Sequence, residues 1–155
     1  MVGMLDWTGH VVMLGYGKGS SVTLKALKKA GLDVVIVNDD PVVVRQLIQE
    51  EGVQAVHGDG SDPQVLELVG ARRARLIISS MRRTADAESV LRHLGPDGPT
   101  LIIRVFETVS AERIRALGGV PVLSSEAAAD AFQGWYQRMF GDSKPVELET
   151  AGEPA

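Results

Sequence analysis

The chain has 155 residues, a net charge of −4 and no cysteine. That length fits one domain able to bury a core without cross-links, and the absent cysteine excludes disulfides, thiolate metal sites and a cysteine nucleophile while fitting the cytoplasm. The acidic balance argues against broad nucleic-acid or membrane-surface binding, the apolar runs are too short to span a bilayer, and the start, with Asp6 and no basic stretch, does not read as a secretion signal.

Short apolar runs alternate with longer amphipathic ones along the chain. His10 to Gly15 reads as a buried strand closed by a glycine. Gly19 to Ala30 reads as a helix with Val22, Leu24, Ala26, Leu27 and Ala30 as its apolar stripe and Gly31 as its stop. A second strand spans Leu32 to Val37, and Pro41 opens a helix reaching about Glu51. Val53 to Val56 is a third strand, followed by a helix that starts at Pro63 and ends at Gly70. Arg75 to Ser79 is the fourth strand and Thr84 to Leu94 the next helix, before the turn cluster Gly95-Pro-Asp-Gly-Pro99. Thr100 to Val105, Ser110 to Leu117 and Val120 to Leu123 read as strand, helix and a sixth strand. This regular alternation implies an α/β fold. The expected class is a Rossmann-type, doubly wound, parallel six-stranded sheet with a C-terminal crossover helix.

That last helix runs from about Glu126 to Phe140. Four of the seven aromatics fall on it, and Phe132, Trp135, Tyr136 and Met139 follow i, i+3, i+4, i+7 spacing. Such a face is too apolar to stay wet. It packs either on its own domain or on a second copy, and the sequence leaves both open. The expected organisation is an extension at 1–9, the nucleotide-binding domain at 10–124, a dimerisation or crossover helix at 125–141 and a disordered tail at 142–155.

The chemistry concentrates in the first strand-to-helix turn, Gly15-Tyr16-Gly17-Lys18-Gly19-Ser20. Gly15 allows a tight turn and Gly17 lets the backbone approach a diphosphate, while the following helix aims N–H groups and a positive dipole end at it. Ser20 stands where a third glycine is usual, and Lys18 can reach a phosphate oxygen as a point charge. Asn38 falls where an acid usually holds ribose hydroxyls; Asp39 or Asp40 can substitute, though Asp40 serves equally well as a helix cap before Pro41. Asp59, in Gly58-Asp-Gly-Ser-Asp-Pro63, can accept from an adenine amine or simply shape its turn, and Asp62 caps the next helix. Ser79 and Ser80 end the fourth strand beside the expected crevice, with Arg82 a further source of positive charge. No catalytic motif stands out around His10, His57 or His93.

These residues resemble the N-terminal lobe of RCK domains, also called KTN or TrkA-N domains, which sense nucleotides for potassium channels and transporters. The resemblance runs from about His10 to about Ala131 and rests on His10-Val-Val-Met-Leu-Gly-Tyr-Gly-Lys-Gly-Ser20, Val34-Val-Ile-Val-Asn-Asp-Asp-Pro41, Val56-His-Gly-Asp-Gly-Ser-Asp-Pro63 and Leu101-Ile-Ile-Arg-Val105. Its flavour is that of Kef-type cation/proton antiporters. The resemblance implies that Gly15, Gly17 and Lys18 hold the diphosphate of NAD(H) or of AMP, ADP or ATP, that Asp59 lies on the adenine side, and that Arg104 matches the family's fifth-strand arginine. It puts Asn38 in place of the ribose acid and matches Glu126 to an acid used near a dimer interface. It further implies a homodimer through the last helix, a membrane potassium channel or antiporter as partner, and a cytoplasmic location. The expectation is a regulatory binding module rather than an enzyme. Its rivals are a small NAD(P)-dependent oxidoreductase and a dimerisation module with a decayed nucleotide site.

Overall fold

The computed structural model describes residues 6–105, 108–122 and 125–141, with the side chains of 108 and 125–132 outside that description. Strands β1 (Val11–Leu14), β2 (Val34–Asn38), β3 (Gln54–His57), β4 (Leu76–Ser79), β5 (Thr100–Arg104) and β6 (Val120–Val122) form one sheet in the order β3-β2-β1-β4-β5-β6. Every neighbouring pair is parallel. β1 is central and all four of its residues are buried, so it is apolar on both faces rather than alternating.

The helices follow from local chemistry. α1 (Ser20–Lys29) ends where Gly31 takes φ +78; Gly31 N–H bonds Lys28 O at 3.0 Å and Leu32 N–H bonds Leu27 O at 3.1 Å, closing the last turn. α2 (Pro41–Gln46) and α3 (Pro63–Leu68) start alike. Asp40 accepts from Val42 N–H and Asp62 from Gln64 N–H, each at 2.9 Å, with proline in the first helical position. The expected helix to Glu51 is continuous, but its second half, Leu47–Glu51, is wound as a π-helix and ends at Gly52 with φ +65. A short 3₁₀ turn, Ala71–Arg73, leads into β4. α4 (Thr84–Leu94), α5 (Thr108–Ala116) and α6 (Ser125–Phe140) complete the chain.

Two apolar cores sandwich the sheet. On one face Val12, Leu14, Val35, Ile77, Leu101 and Ile103 meet α3, α4 and α5 through Leu66, Val90 and Ile114. There Glu88 of α4 is buried and accepts from Arg92 and, across to α5, from Arg113 at 2.9 Å. On the other face Val11, Met13 and Ile36 meet α1 through Leu24 and Leu27. Val22 does not share in this core as its place in the expected stripe implied: it is 42% exposed, because it lies about 140° round the helix from Leu27.

The aromatic face of α6 is resolved by the same packing. α1 and α2 cover the β1–β3 half of that face, and Leu76, Ile102 and Val122 of β4–β6 still need a cover. Trp135 and Tyr136 supply it and are buried within their own domain. Phe140 packs edge-on to Trp135 at 5.6 Å between centroids, and the Arg75 guanidinium lies 5.0 Å from the Phe140 ring. Met139 stays 57% exposed, so the described residues of the stripe are divided between the core and the surface. Phe132 and Glu126 lie in α6, but their side chains are outside the described residues, as is the tail expected to be disordered at 142–155.

Part of the expected N-terminal extension is tied down. Gly9 N–H bonds Arg73 O at 2.8 Å, Arg73 Nε donates to Trp7 O at 3.1 Å, and Arg75 Nε donates to Gly9 O at 2.8 Å. His10 is buried beneath Trp7 and bonds Val69 O through Nε2 at 2.8 Å. Burial holds its pKa below the usual 6.5, with Arg73 adding to the effect against Val69 O and Asp33.

Two predictions follow from this packing. The unfolded chain takes up a proton at His10 near pH 6.5 while the folded chain resists, so the His10 contribution is complete above that pH and is lost as pH falls toward the folded value. Urea unfolding at pH 7.5, 6.5 and 5.5 should show stability falling with acid, and a shallower fall in His10→Gln. Separately, Trp135→Ala should destabilise by about 3–5 kcal/mol, whereas Met139→Ala should stay within about 0.5 kcal/mol. A folded, equally stable Trp135→Ala protein would show that α6 is not core.

Candidate functional site

All strand carboxyl ends lie along one edge of the sheet, and the strand order reverses between β1 and β4. Loops leaving those two strands part in opposite directions and open a crevice there. The turn after β1 forms its floor. Gly15 takes φ +93, its N–H bonds Val37 O at 2.7 Å, and a Cβ at this position would stand 2.8 Å from Ser80 Oγ. Only glycine fits both conditions. Gly17 differs: its φ is not in the left-handed range, and a Cβ there would meet nothing nearer than Arg104 Nη2 at 3.8 Å. Its missing side chain therefore leaves space for something other than protein. Gly19 caps α1 at φ +86.

Ser20 keeps the helix close to the sheet without the usual glycine. It is buried, and its Oγ accepts the Gly17 N–H at 2.9 Å while its own N–H bonds Gly17 O at 3.0 Å. The turn is thus braced internally. Tyr16 lines the crevice and also packs on the α1–α2 core, where burial first, and Glu51 second, raise its phenol pKa.

The crevice has a volume of about 480 Å³, within the range of small-molecule sites. Gly15, Tyr16, Gly17, Lys18, Asn38, Asp39, Asp59, Ser80 and Arg104 all line it. Gly19, Ser20 and Ser79 line a smaller cavity of about 40 Å³ on the β4–β6 side, to which Lys18, Ser80 and Arg104 also contribute. The sequence-derived residues are therefore gathered at one place, divided between two adjoining spaces. Val43, Gly60, Met81 and Asp86 line the crevice too and were not singled out by sequence. Gly60 carried a readable signal in the Gly-Asp-Gly turn: a Cβ there would lie 2.9 Å from Met81 Sδ and 3.2 Å from Leu14 Cβ.

Charge is unevenly spread. Asp39, Asp40 and Asp59 stand at the β2–β3 end; Lys18, Arg82, Arg83 and Arg104 stand around the Gly-rich turn and the β4 loop, where Asp86 lies 3.8 Å from Arg83. Asp40 is engaged as the α2 cap. Asn38 Oδ1 accepts from Asp40 N–H at 2.9 Å, so the amide faces a ligand with donors where a carboxylate offers only acceptors. Asp59 accepts from Ser61 N–H at 2.8 Å and Ser61 Oγ at 2.7 Å, and these bonds hold its carboxyl below the usual range. It shapes its turn while remaining a wall of the crevice. Ser79 Oγ accepts from Met81 N–H at 3.3 Å, whereas Ser80 Oγ is buried with no hydrogen-bond partner among the described residues. An orphaned hydroxyl at a crevice wall is a ready contact for a polar ligand. Arg104 Nη1 donates to Lys18 O at 2.7 Å, which sets a cation against the Gly-rich turn.

The sequence matches the TrkA-N domain family over residues 11–125, from β1 to the first residue of α6. The chain belongs to the TrkA-N domain family. Two curated relatives extend the match. An uncharacterized protein of Methanothermus fervidus is 24% identical over 90% of this chain. A protein provisionally named K(+) efflux antiporter KefB, of Alkalimonas amylolytica, is 28% identical over 74% of it. The TrkA-N chain spans 22% and 17% of the lengths of those proteins. Among solved structures, the GsuK channel bound to NAD has a TM-score of 0.71 at 22% identity, matching 86% of this chain and 24% of its own. The TrkA-N domain of the inner membrane protein ybaL of Escherichia coli also scores 0.71, at 21% identity, covering 84% of this chain and 98% of that one. The AMP-bound Kef C-terminal domain of Shewanella denitrificans scores 0.64 at 18% identity over 86% of this chain and 82% of that one. At these identities the structures share the fold. No helix among the described residues is long and apolar enough to cross a membrane.

The two glycines of the TrkA-N turn should separate by experiment. Gly15→Ala should lower stability by at least about 1 kcal/mol, from left-handed strain alone, whereas Gly17→Ala should stay within about 0.5 kcal/mol. Urea denaturation of both variants tests this; equal losses would show that Gly17 is also held for folding.

Proposed function

We propose that this TrkA-N domain is a nucleotide-sensing regulatory module that binds NAD(H) or an adenine nucleotide (AMP, ADP or ATP) in the β1–β4 crevice. It acts as a binding module and not as an enzyme. The observation that carries the reading is Gly17: an open, unstrained glycine beside a helix N-terminus and Arg104, with Lys18 and the orphaned Ser80 hydroxyl close by. Phosphate oxygens would take the helix N–H groups and the cations. The acidic β2–β3 end would take the base and ribose through Asn38, Asp39 and Asp59. The likeness to channels and antiporters supports a membrane potassium channel or cation/proton antiporter as the receiver of the signal, on its cytoplasmic side, whether as a partner or as the remainder of one polypeptide.

Such a signal requires a ligand with different affinities for two arrangements. Pairing of copies through α6 is one such arrangement. With Trp135 and Tyr136 inside the domain, the pairing surface would have to use what α6 leaves exposed, Met139 included.

Calorimetry with NAD+, NADH, AMP, ADP and ATP tests the reading. Binding of at least one is expected, with loss on Gly17→Val, whose side chain would occupy the phosphate path. No binding of any at millimolar concentration would refute it, and steady NADH oxidation or ATP hydrolysis lost on Gly17→Val would replace the module with an enzyme.

A further inference from the structure

His10 is the last residue before β1 and lies away from the crevice, yet it is only 1% exposed. One bond fixes its tautomer. Nε2 lies 2.8 Å from Val69 O, and a carbonyl only accepts, so Nε2 carries the hydrogen and Nδ1 is a bare acceptor. Nδ1 is buried, with no hydrogen-bond partner among the described residues. A second proton on this ring adds a buried charge and a donor with no acceptor. The charged groups that face the ring are Arg73, on the Ala71–Arg73 turn, and Asp33, just before β2. Arg73 opposes the proton. A Cβ on Gly70 would stand 2.7 Å from Arg73 Nη2 and 3.4 Å from His10 Cε1, so guanidinium and imidazole flank the same glycine. Burial, with Arg73 added to it, outweighs the help of Val69 O and Asp33.

The cover over this ring is thin. Trp7 meets His10 edge-on, with 5.7 Å between ring centroids, and is itself half-buried. The cover is fastened to the same arginine that opposes the proton: Gly9 N–H bonds Arg73 O, and Arg73 Nε donates to Trp7 O. Arg75 Nε adds a bond to Gly9 O. From His10 onward the chain is held by the sheet instead, with Arg75 N–H bonded to His10 O at 2.8 Å and Val11 N–H to Asp33 O at 2.9 Å. Lifting residues 6–9 gives Nδ1 access to water and breaks only these few contacts. Unfolding gives the same access at the cost of the whole sheet.

We propose that residues 6–9 are an acid-released latch: a proton taken up by His10 lifts Trp7 and Gly9 off Arg73 and Arg75, while β1 and the rest of the sheet stay folded. Opening bares the Trp7 ring and both guanidinium groups. The open segment lets His10 titrate near its ordinary 6.5, and the closed one holds it lower. Opening therefore gains up to about tenfold for each pH unit as pH falls from 6.5 toward the closed value, and gains nothing above 6.5.

The test is hydrogen exchange of the full chain, read amide by amide by NMR at pH 7.5, 6.5 and 5.5 and corrected for the pH dependence of the exchange chemistry. The Gly9 amide, bonded to Arg73 O, reports the latch; the amides of Val12 and Met13 report β1. Between pH 6.5 and 5.5 the opening constant at Gly9 should rise several-fold, while Val12 and Met13 remain far better protected. His10→Gln keeps a donor for Val69 O but cannot take up the charge, and its Gly9 opening should not change with pH. A Gly9 opening constant that is flat with pH in the parent overturns the latch, as does an equal rise in His10→Gln. Gly9, Val12 and Met13 opening to the same extent would show whole-chain unfolding and overturn it too. Should His10→Gln fail to fold, Trp7→Ala decides. Without its cover the His10 Hε1 signal should titrate at higher pH than in the parent, and an unchanged titration overturns the proposal.

Discussion

One backbone constraint organises this domain. β1 must pair in parallel with β2 on one side and β4 on the other, so the chain leaving β1 and the chain leaving β4 start side by side and turn opposite ways. The crossing is tight. Ser80 N–H bonds Leu14 O at 2.9 Å, and Gly15 N–H bonds Val37 O at 2.7 Å. The β1 turn is thereby held between its two neighbours. Gly15 is the residue that lets the backbone pass beneath Ser80, and the polar walls of the crevice are arranged around that passage.

The fold was largely legible because its signals are local. Asp-Pro twice marks a helix start, and the side chains of Asp40 and Asp62 do what that dipeptide suggests. Fully apolar runs such as Val11–Leu14 mark strands buried on both faces. The site was legible as a set of loops for the same reason: strand ends and the glycine turn fix which segments meet. What the sequence could not provide was the direction of individual side chains. Ser20 reads as a small substitute for glycine, yet its hydroxyl braces Gly17. Arg104 reads as a cation near phosphate, yet it binds a carbonyl 86 positions away. Helical spacing put Trp135, Tyr136 and Met139 on one stripe but could not say that the uncovered half of a sheet face would claim the first two and leave the third exposed.

The electrostatics of the crevice reinforce its shape. Three carboxylates crowd the β2–β3 end, and at the other end the cations outnumber the one carboxylate, Asp86, which suits a ligand that is neutral and hydrogen-bonding at one end and anionic at the other. Asn38 fits this division. A carboxylate there would stand beside Asp39 and Asp40 and add to an already crowded negative end, and the amide avoids that repulsion while still accepting the Asp40 N–H. The internal bond between Ser20 and Gly17 keeps the turn in shape before any ligand arrives, so less ordering accompanies binding.

The docking of α6 also bears on how the chain is made. During synthesis β4, β5 and β6 all emerge before the helix that covers their α1-side face, and until Trp135 and Tyr136 leave the ribosome the apolar surface of Leu76, Ile102 and Val122 has no cover. A nascent chain paused after β6 would present a nearly complete sheet with one bare half-face, the kind of surface that draws chaperones or aggregates. The Arg75 guanidinium against Phe140 lies at the last helical turn, so it forms at the end of that process and fastens α6 to the start of β4.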